Sequence, residues 1–310
     1  MTWLRRSRRL RLGSVKLGRR RWCRMVLQKF PSLSEGYAVL VDLDKCIGCR
    51  ACQVACKDWN SRQAEKTTFS PTFTNPPDLT ANDWKVVFYY EGKSKKALLT
   101  PAGEVVFEQV DVVPLPFQCM HCATAPCSRA CPVGAIKVTP EGAVVISKEE
   151  CIGCGFCETA CPFRVPRRGS DGKYYKCTFC VDRIQNGRAP ACVEACPTGV
   201  FTFGKAGDII EKAKELQSTG KTVFGLNLDS YVGGGVRWIY AGSERRSYAI
   251  KEHFADRGKP VATQEGRELL KPLILYGGAL GALALAAIGV ATWRKSRVEE
   301  VKSSSQEEKR

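Results

Sequence analysis

Histidine is almost missing from this chain: there are two in 310 residues. No catalytic triad, P-loop or dinucleotide-binding fingerprint is present, and Gly233-Gly234-Gly235 lacks the residues that would make it one, so it reads as a loop. His121 is expected beside a group of cysteines, where it could donate a hydrogen bond. His253 lies in a polar stretch and is expected to face solvent. An apolar leader is missing too. Residues 1–24 hold ten Arg or Lys and no acid, but no apolar run follows, so they are not a signal peptide as written. "SRRLRL" has only a faint twin-arginine character. The expectation is a solvated basic tail over 1–36, or an over-extended start with the initiator at Met25.

The formal charge of +17 points first to an anionic partner. Without residues 1–24 the chain carries 38 basic and 31 acidic side chains, a balance of +7. Most of the excess thus sits in the first 24 residues and not in the body. Nucleic-acid binding then loses its electrostatic basis.

Cysteine is the abundant residue. There are 17, and 16 fall into four groups of four, with Cys23 alone and without a partner. Group I, "CIGCRACQVACKDWN", holds Cys46, Cys49, Cys52 and Cys56. Group II, "CMHCATAPCSRACP", holds Cys119, Cys122, Cys127 and Cys131. Group III, "CIGCGFCETACPF", holds Cys151, Cys154, Cys157 and Cys161. Group IV, "CTFCVDRIQNGRAPACVEACP", holds Cys177, Cys180, Cys192 and Cys196.

Grouping in fours points to metal; disulfide frameworks are more scattered. Zinc wants two C-x2-C pairs with a longer spacer, whereas groups I and III place the third cysteine two residues after the second. A C-x2-C-x2-C loop can turn three thiolates toward one iron–sulfur cubane, and in two-cluster ferredoxins the fourth cysteine reaches the neighbouring cluster. Groups should therefore pair, II with III and I with IV. Four [4Fe-4S] clusters are expected. One is held by Cys119, Cys122, Cys127 and Cys161, and one by Cys131, Cys151, Cys154 and Cys157. A third is held by Cys46, Cys49, Cys52 and Cys196, and the last by Cys56, Cys177, Cys180 and Cys192. With every iron ligated by thiolate, no site is open to substrate, so electron transfer is expected and the catalytic list is empty.

The fold class expected is α+β: two ferredoxin-like two-cluster units, one inserted in the other, plus a C-terminal transmembrane helix. "AIKVTPEGAVVIS" between groups II and III reads as a hairpin. "YAVLVDLDKC" enters group I as a strand, and "TGVFTFG" leaves group IV as another; if they pair, they rebuild the unit around the first one. The divisions are 37–57 with 175–205 for groups I and IV, 58–114 for an insertion with strands "WKVVFYYEG" and "GEVVFEQVDVV", and 115–174 for groups II and III. Residues 206–271 connect, with an amphipathic helix at "DIIEKAKELQ" and a Gly-rich aromatic stretch, "VGGGVRWIYAGSE", whose composition defines no role. Residues 272–293 are 22 without a charge, long enough to cross a bilayer as a helix, and the polar tail 294–310 follows. The helix is rich in Gly and Ala and has no His, which suits packing on other membrane helices and excludes haem ligation.

The four cysteine phrases, the "VGGG" stretch and the terminal apolar segment resemble the iron–sulfur (beta) subunits of membrane-bound formate dehydrogenases over about residues 38–295. The resemblance implies an electron-transfer subunit with no catalytic site of its own. A separate catalytic subunit carrying a molybdenum or tungsten pterin (molybdopterin) would oxidise formate. A membrane cytochrome b subunit would take the electrons and reduce quinone. The I–IV unit would face the catalytic subunit and the II–III unit would lie nearer the lipid bilayer. It also implies a single-pass membrane anchor, clusters on the periplasmic side and export bound to a partner. The same cysteine pattern occurs in electron-transfer subunits of uptake hydrogenases and of other molybdopterin respiratory oxidoreductases, which stay open as alternatives, as does a zinc scaffold.

Overall fold

The computed structural model describes residues 30–100, 103–255 and 257–258, with backbone alone over 93–100 and 103–110. The basic tail before residue 30, Cys23 and the apolar segment 272–293 lie outside the described residues. Among the described residues no helix is long and apolar enough to cross a membrane.

Strand β1 (Tyr37–Asp42) leads through a 3₁₀ turn to Cys46, Cys49 follows in the loop, and helix α1 (Ala51–Trp59) carries Cys52 and Cys56. β2 (Lys85–Thr100) and β3 (Gly103–Gln118) form an antiparallel hairpin with Lys85 opposite Gln118. After group II and the short α2 (Pro126–Ala130), β4 (Ile136–Val138) and β5 (Val144–Ile146) pair as the expected hairpin, with Ile136 opposite Ile146. Group III contains α3 (Phe156–Thr159) and is followed by the small ladder of β6 (Arg167–Arg168) and β7 (Tyr174–Tyr175). Group IV contains α4 (Val181–Gln185) and α5 (Ala191–Glu194). β8 (Phe201–Lys205), α6 (Ala206–Ser218), β9 (Thr222–Leu226), β10 (Gly235–Gly242) and α7 (Glu244–His253) complete the described residues.

β1 and β8 pair antiparallel, Val39 opposite Phe203, so the strand entering group I meets the strand leaving group IV. They belong to a four-stranded sheet in the order β8-β1-β10-β9. β10 is parallel to β1, with Leu40 opposite Ile239, and β9 closes the edge antiparallel. Alternation along the strands gives the sheet two faces. Ala38, Leu40, Ile239 and Ala241 face the apolar stripe of α6, Ala206, Ile209 and Ala213. Val39, Val41, Trp238 and Tyr240 face the core that contains the cysteines.

β10 was not legible as a strand, yet it is buried along its whole length. It also reaches group II. Arg237 N–H donates to the carbonyl of Met120 at 3.0 Å, Ala123 N–H donates to that of Gly235 at 3.2 Å, and Cys122 bridges Val236. The same strand therefore carries the sheet and pins the group II loop. The Arg237 guanidinium donates to the carbonyls of Ser32 (3.1 Å) and Glu35 (2.5 Å), which fixes the segment entering β1.

His253 departs from the expectation of a solvent-facing side chain. It is 4% exposed, packs on Phe88 and Phe117, and its Nδ1 lies 2.5 Å from the Tyr90 hydroxyl. The polar sequence around it is the outer face of α7; His253 is on the inner face, at the base of the β2–β3 hairpin.

Candidate metal centres

Each cysteine group is a loop running into a short helix, and the loops share one backbone device. The residue two after the first cysteine has positive φ in all four: Gly48 (72°), His121 (48°), Gly153 (70°) and Phe179 (63°). In groups I and III the position is glycine because the backbone is left-handed and space is closed. A Cβ on Gly153 would lie 2.3 Å from the Gly172 carbonyl oxygen. In groups II and IV it is His121 and Phe179, and these two rings stack on each other at 4.8 Å. The left-handed turn brings the second cysteine back toward the first. The third follows on a helix turn.

The fourth cysteine is fixed by a second repeated contact. Its sulfur accepts an N–H from four residues on: Ala135 to Cys131 at 3.3 Å, Val165 to Cys161 at 3.5 Å and Val200 to Cys196 at 3.4 Å. These three groups have Pro after the fourth cysteine, which ends the helix and turns the chain over the sulfur. Group I has Lys57 there, so α1 continues, and the Asn60 side-chain amide approaches Cys56 Sγ at 3.9 Å. A side chain thus replaces the backbone donor at the one group without proline.

Twelve of the sixteen thiols are buried, Cys151 and Cys196 are half-buried, and Cys49 and Cys154 are exposed. Burial raises nine of the buried thiols, and nearby cysteines raise those nine further. For Cys46 the neighbours are Cys196 and Cys49. For Cys52, pushed up to about 12, they are Cys192, Cys46 and Cys196. Cys56 is raised by Cys177, Cys192 and Cys180. Cys122 is raised by Cys161, Cys119 and Cys127. Cys157, pushed up to about 12, feels Cys151, Cys154 and Cys131, and those four also line one cavity with Ile136, Ile146 and Tyr174.

Four neighbourhoods result, each taking its fourth cysteine from the paired group. Three electrostatic influences between neighbourhoods order them in a row. Cys192 acts on Cys52, Cys119 on Cys177, and Cys157 on Cys127. The order is Cys46/49/52/196, then Cys56/177/180/192, then Cys119/122/127/161, then Cys131/151/154/157. The terminal neighbourhoods carry the two exposed cysteines. Exposed apolar side chains flank both, Ile47 and Val54 near Cys49, and Ile152 and Phe156 near Cys154.

Two family descriptions match: a 4Fe-4S dicluster domain over residues 110–206 and a 4Fe-4S binding domain over residues 37–58. The sequence is 36% identical to the formate dehydrogenase iron–sulfur subunit of Haemophilus influenzae over 269 residues, 81% of this chain and 78% of that one. This chain therefore belongs to the family of formate dehydrogenase iron–sulfur subunits. It is 41% identical over 180 residues to the iron–sulfur subunit of the nitrate-inducible formate dehydrogenase of Escherichia coli, an alignment that spans 57% of each protein. It is 30% identical over 181 residues to the B subunit of the E. coli anaerobic dimethyl sulfoxide reductase, covering 58% of this protein and 78% of that one.

The donor set of this iron–sulfur subunit fits [4Fe-4S] clusters. Among the described residues no three His, Cys, Asp or Glu converge tightly enough to hold a single metal ion. The thiols of Cys131, Cys151, Cys154 and Cys157 instead line one cavity, as a cubane with iron at separate corners requires. Buried donors also lack protein acceptors. His121, fully buried, accepts Val144 N–H at Nδ1 (2.9 Å), so its Nε2 carries the proton, and that atom has no partner. Trp238 Nε1 is likewise buried without one. Cluster sulfides are acceptors of the kind these donors want.

Sequence reasoning singled out the cysteines and His121 and did not single out two buried lysines. Lys176 donates to the carbonyls of Val144 and Cys177. Lys85 is 1% exposed. A lysine in a strand pattern ordinarily reads as solvent-facing, so only their positions next to a cysteine (Lys176) and after "NDW" (Lys85) were visible.

Proposed function

We propose that the protein is the electron-transfer subunit of a formate dehydrogenase, holding four [4Fe-4S] clusters in two ferredoxin-like units, one inserted in the other. The observation that carries this is the single row of four thiol neighbourhoods with an exposed cysteine at each end. Bound clusters would supply one-electron transfer. The protein's own residues hold and insulate them. The sixteen thiolates ligate, the repeated N–H donors fix the sulfurs, and the apolar core excludes water.

The Cys49 end would receive electrons from a catalytic subunit with a molybdenum or tungsten pterin, and the Cys154 end would deliver them to a membrane cytochrome b and quinone. The exposed apolar side chains at both ends support docking there. Residues 272–293, uncharged in sequence, would anchor the subunit in the bilayer, with the clusters on the periplasmic side. The likeness to a dimethyl sulfoxide reductase subunit favours a second reading, the same row of sites between other redox partners.

Anaerobic purification of the native complex decides between these. Formate-dependent reduction of quinone, with a pterin subunit and a cytochrome b copurifying, is expected. A complex that oxidises hydrogen, or reduces dimethyl sulfoxide without oxidising formate, would assign the protein elsewhere.

A further inference from the structure

Lys85 opens β2, and two contacts lay that end of the strand along α1. Lys57 Nζ pairs with Asp83 at 2.9 Å, and Gln53 Oε1 accepts Val87 N–H at 3.1 Å. Gln53 and Lys57 each follow a cysteine, Cys52 and Cys56, so residue 85, midway between these anchors, faces the part of α1 that carries both thiols. The ammonium donates to Gln118 Oε1 at 2.6 Å. Gln118 Nε2 donates in turn to the Tyr240 hydroxyl at 3.2 Å, which fixes the amide with its oxygen toward the lysine. The rest of the ammonium lies 4.4 Å from the Trp238 ring centre and 4.5 Å from that of Phe201. Its described partners are thus one neutral amide and two aromatic faces, and no carboxylate is among them.

A buried ammonium without an anion is costly and ordinarily gives up its proton. Cys52 and Cys56 lie on the stretch of α1 that residue 85 faces, and both are thiolates when they ligate. Cys52 belongs to the first neighbourhood and Cys56 to the second. The anionic partner of Lys85 is therefore the pair of thiolate sites it lies between.

We propose that Lys85 is a fixed positive charge shared by the Cys46/49/52/196 and Cys56/177/180/192 clusters, and that it raises the reduction potential of both. The inference rests on the cluster reading above. Each cluster gains one negative charge when it takes one electron from the adjacent redox centre. A cation in a low-dielectric site stabilises that reduced form more than the oxidised one. A packing role alone would be filled as well by methionine, which has similar length and no charge.

The test is an anaerobic, EPR-monitored redox titration of the whole complex with Lys85→Met and Lys85→Arg, with iron counted in each. With iron retained, Lys85→Met should lower two of the four midpoint potentials by at least tenfold in the reduction equilibrium, about 59 mV for one electron. The other two should stay in place, and Lys85→Arg should restore most of the shift. If Lys85→Met loses iron, Lys85→Gln, which keeps a polar end for Gln118, replaces it in the same comparison. Unmoved potentials at full iron content, or an equal shift with Arg, would overturn the role of Lys85 and leave the cluster reading standing. A wild-type complex without iron–sulfur clusters would defeat the cluster reading itself.

Discussion

At the scale of single residues, the proposed arrangement makes the fourth cysteine of each group the one that joins two sites. Cys196 follows α5, which carries Cys192, yet it acts on Cys46 and Cys52. Cys196→Ser should therefore remove the cluster of Cys46, Cys49 and Cys52, about four irons per chain. The EPR signal lost should be the one lost in Cys46→Ser. Loss of the signal that Cys177→Ser abolishes would show that group IV ligates on its own. The cysteine positions were legible because cluster ligation imposes a spacing that little else requires. The turns that aim the thiols were half legible: glycine marks Gly48 and Gly153, but His121 and Phe179 take the same left-handed turn without the residue type that signals it. The Asn60 contact to Cys56 was not legible, since it substitutes for a backbone donor seen only in three dimensions.

At the scale of elements, the β4–β5 hairpin, the strands β2 and β3 and the helix α6 were legible from alternation, turn residues and helical period, while the pairing of β2 with β3 and the strand β10 were not. A strand buried on both faces shows no alternation, and β10 begins in glycines and contains a buried arginine. Its parallel partner β1 is nearly two hundred residues away, beyond any local signal. α7 carries a pH-dependent element. Burial, with Arg257 beside it, holds the His253 imidazole well below its ordinary value, so it is neutral when folded. The unfolded protein takes up that proton below about pH 6.5. Stability should therefore fall as pH drops from 6.5, by up to about 1.4 kcal/mol per pH unit. His121 is depressed in the same direction, by burial and then by Lys176 and Arg237. His253→Phe, which keeps the ring packing on Phe88 and Phe117, should flatten the slope without abolishing it. Denaturant midpoints at pH 7.5 and pH 5.5, followed by tryptophan fluorescence, measure it. Identical slopes in the two proteins would remove His253 as the source.

At the scale of the whole molecule, the last cysteine is Cys196, and a further 114 residues follow it. Part of that length is structural for the described unit: β10 and α7 hold group II and the β2–β3 hairpin in place. The proposed anchor lies beyond Lys271. Deleting everything after Lys271 should leave iron content and formate-to-dye activity intact and cut formate-to-quinone activity several-fold. Full quinone reduction by the truncated complex would exclude the anchoring role. The central claim is that sixteen cysteines hold four cubanes, and total iron and acid-labile sulfide per chain in anaerobically purified protein test it most directly. The expected result is about sixteen of each in this subunit, after the clusters of partner subunits are subtracted. Zinc in place of iron, or a plateau near eight irons in fully loaded protein, would contradict it.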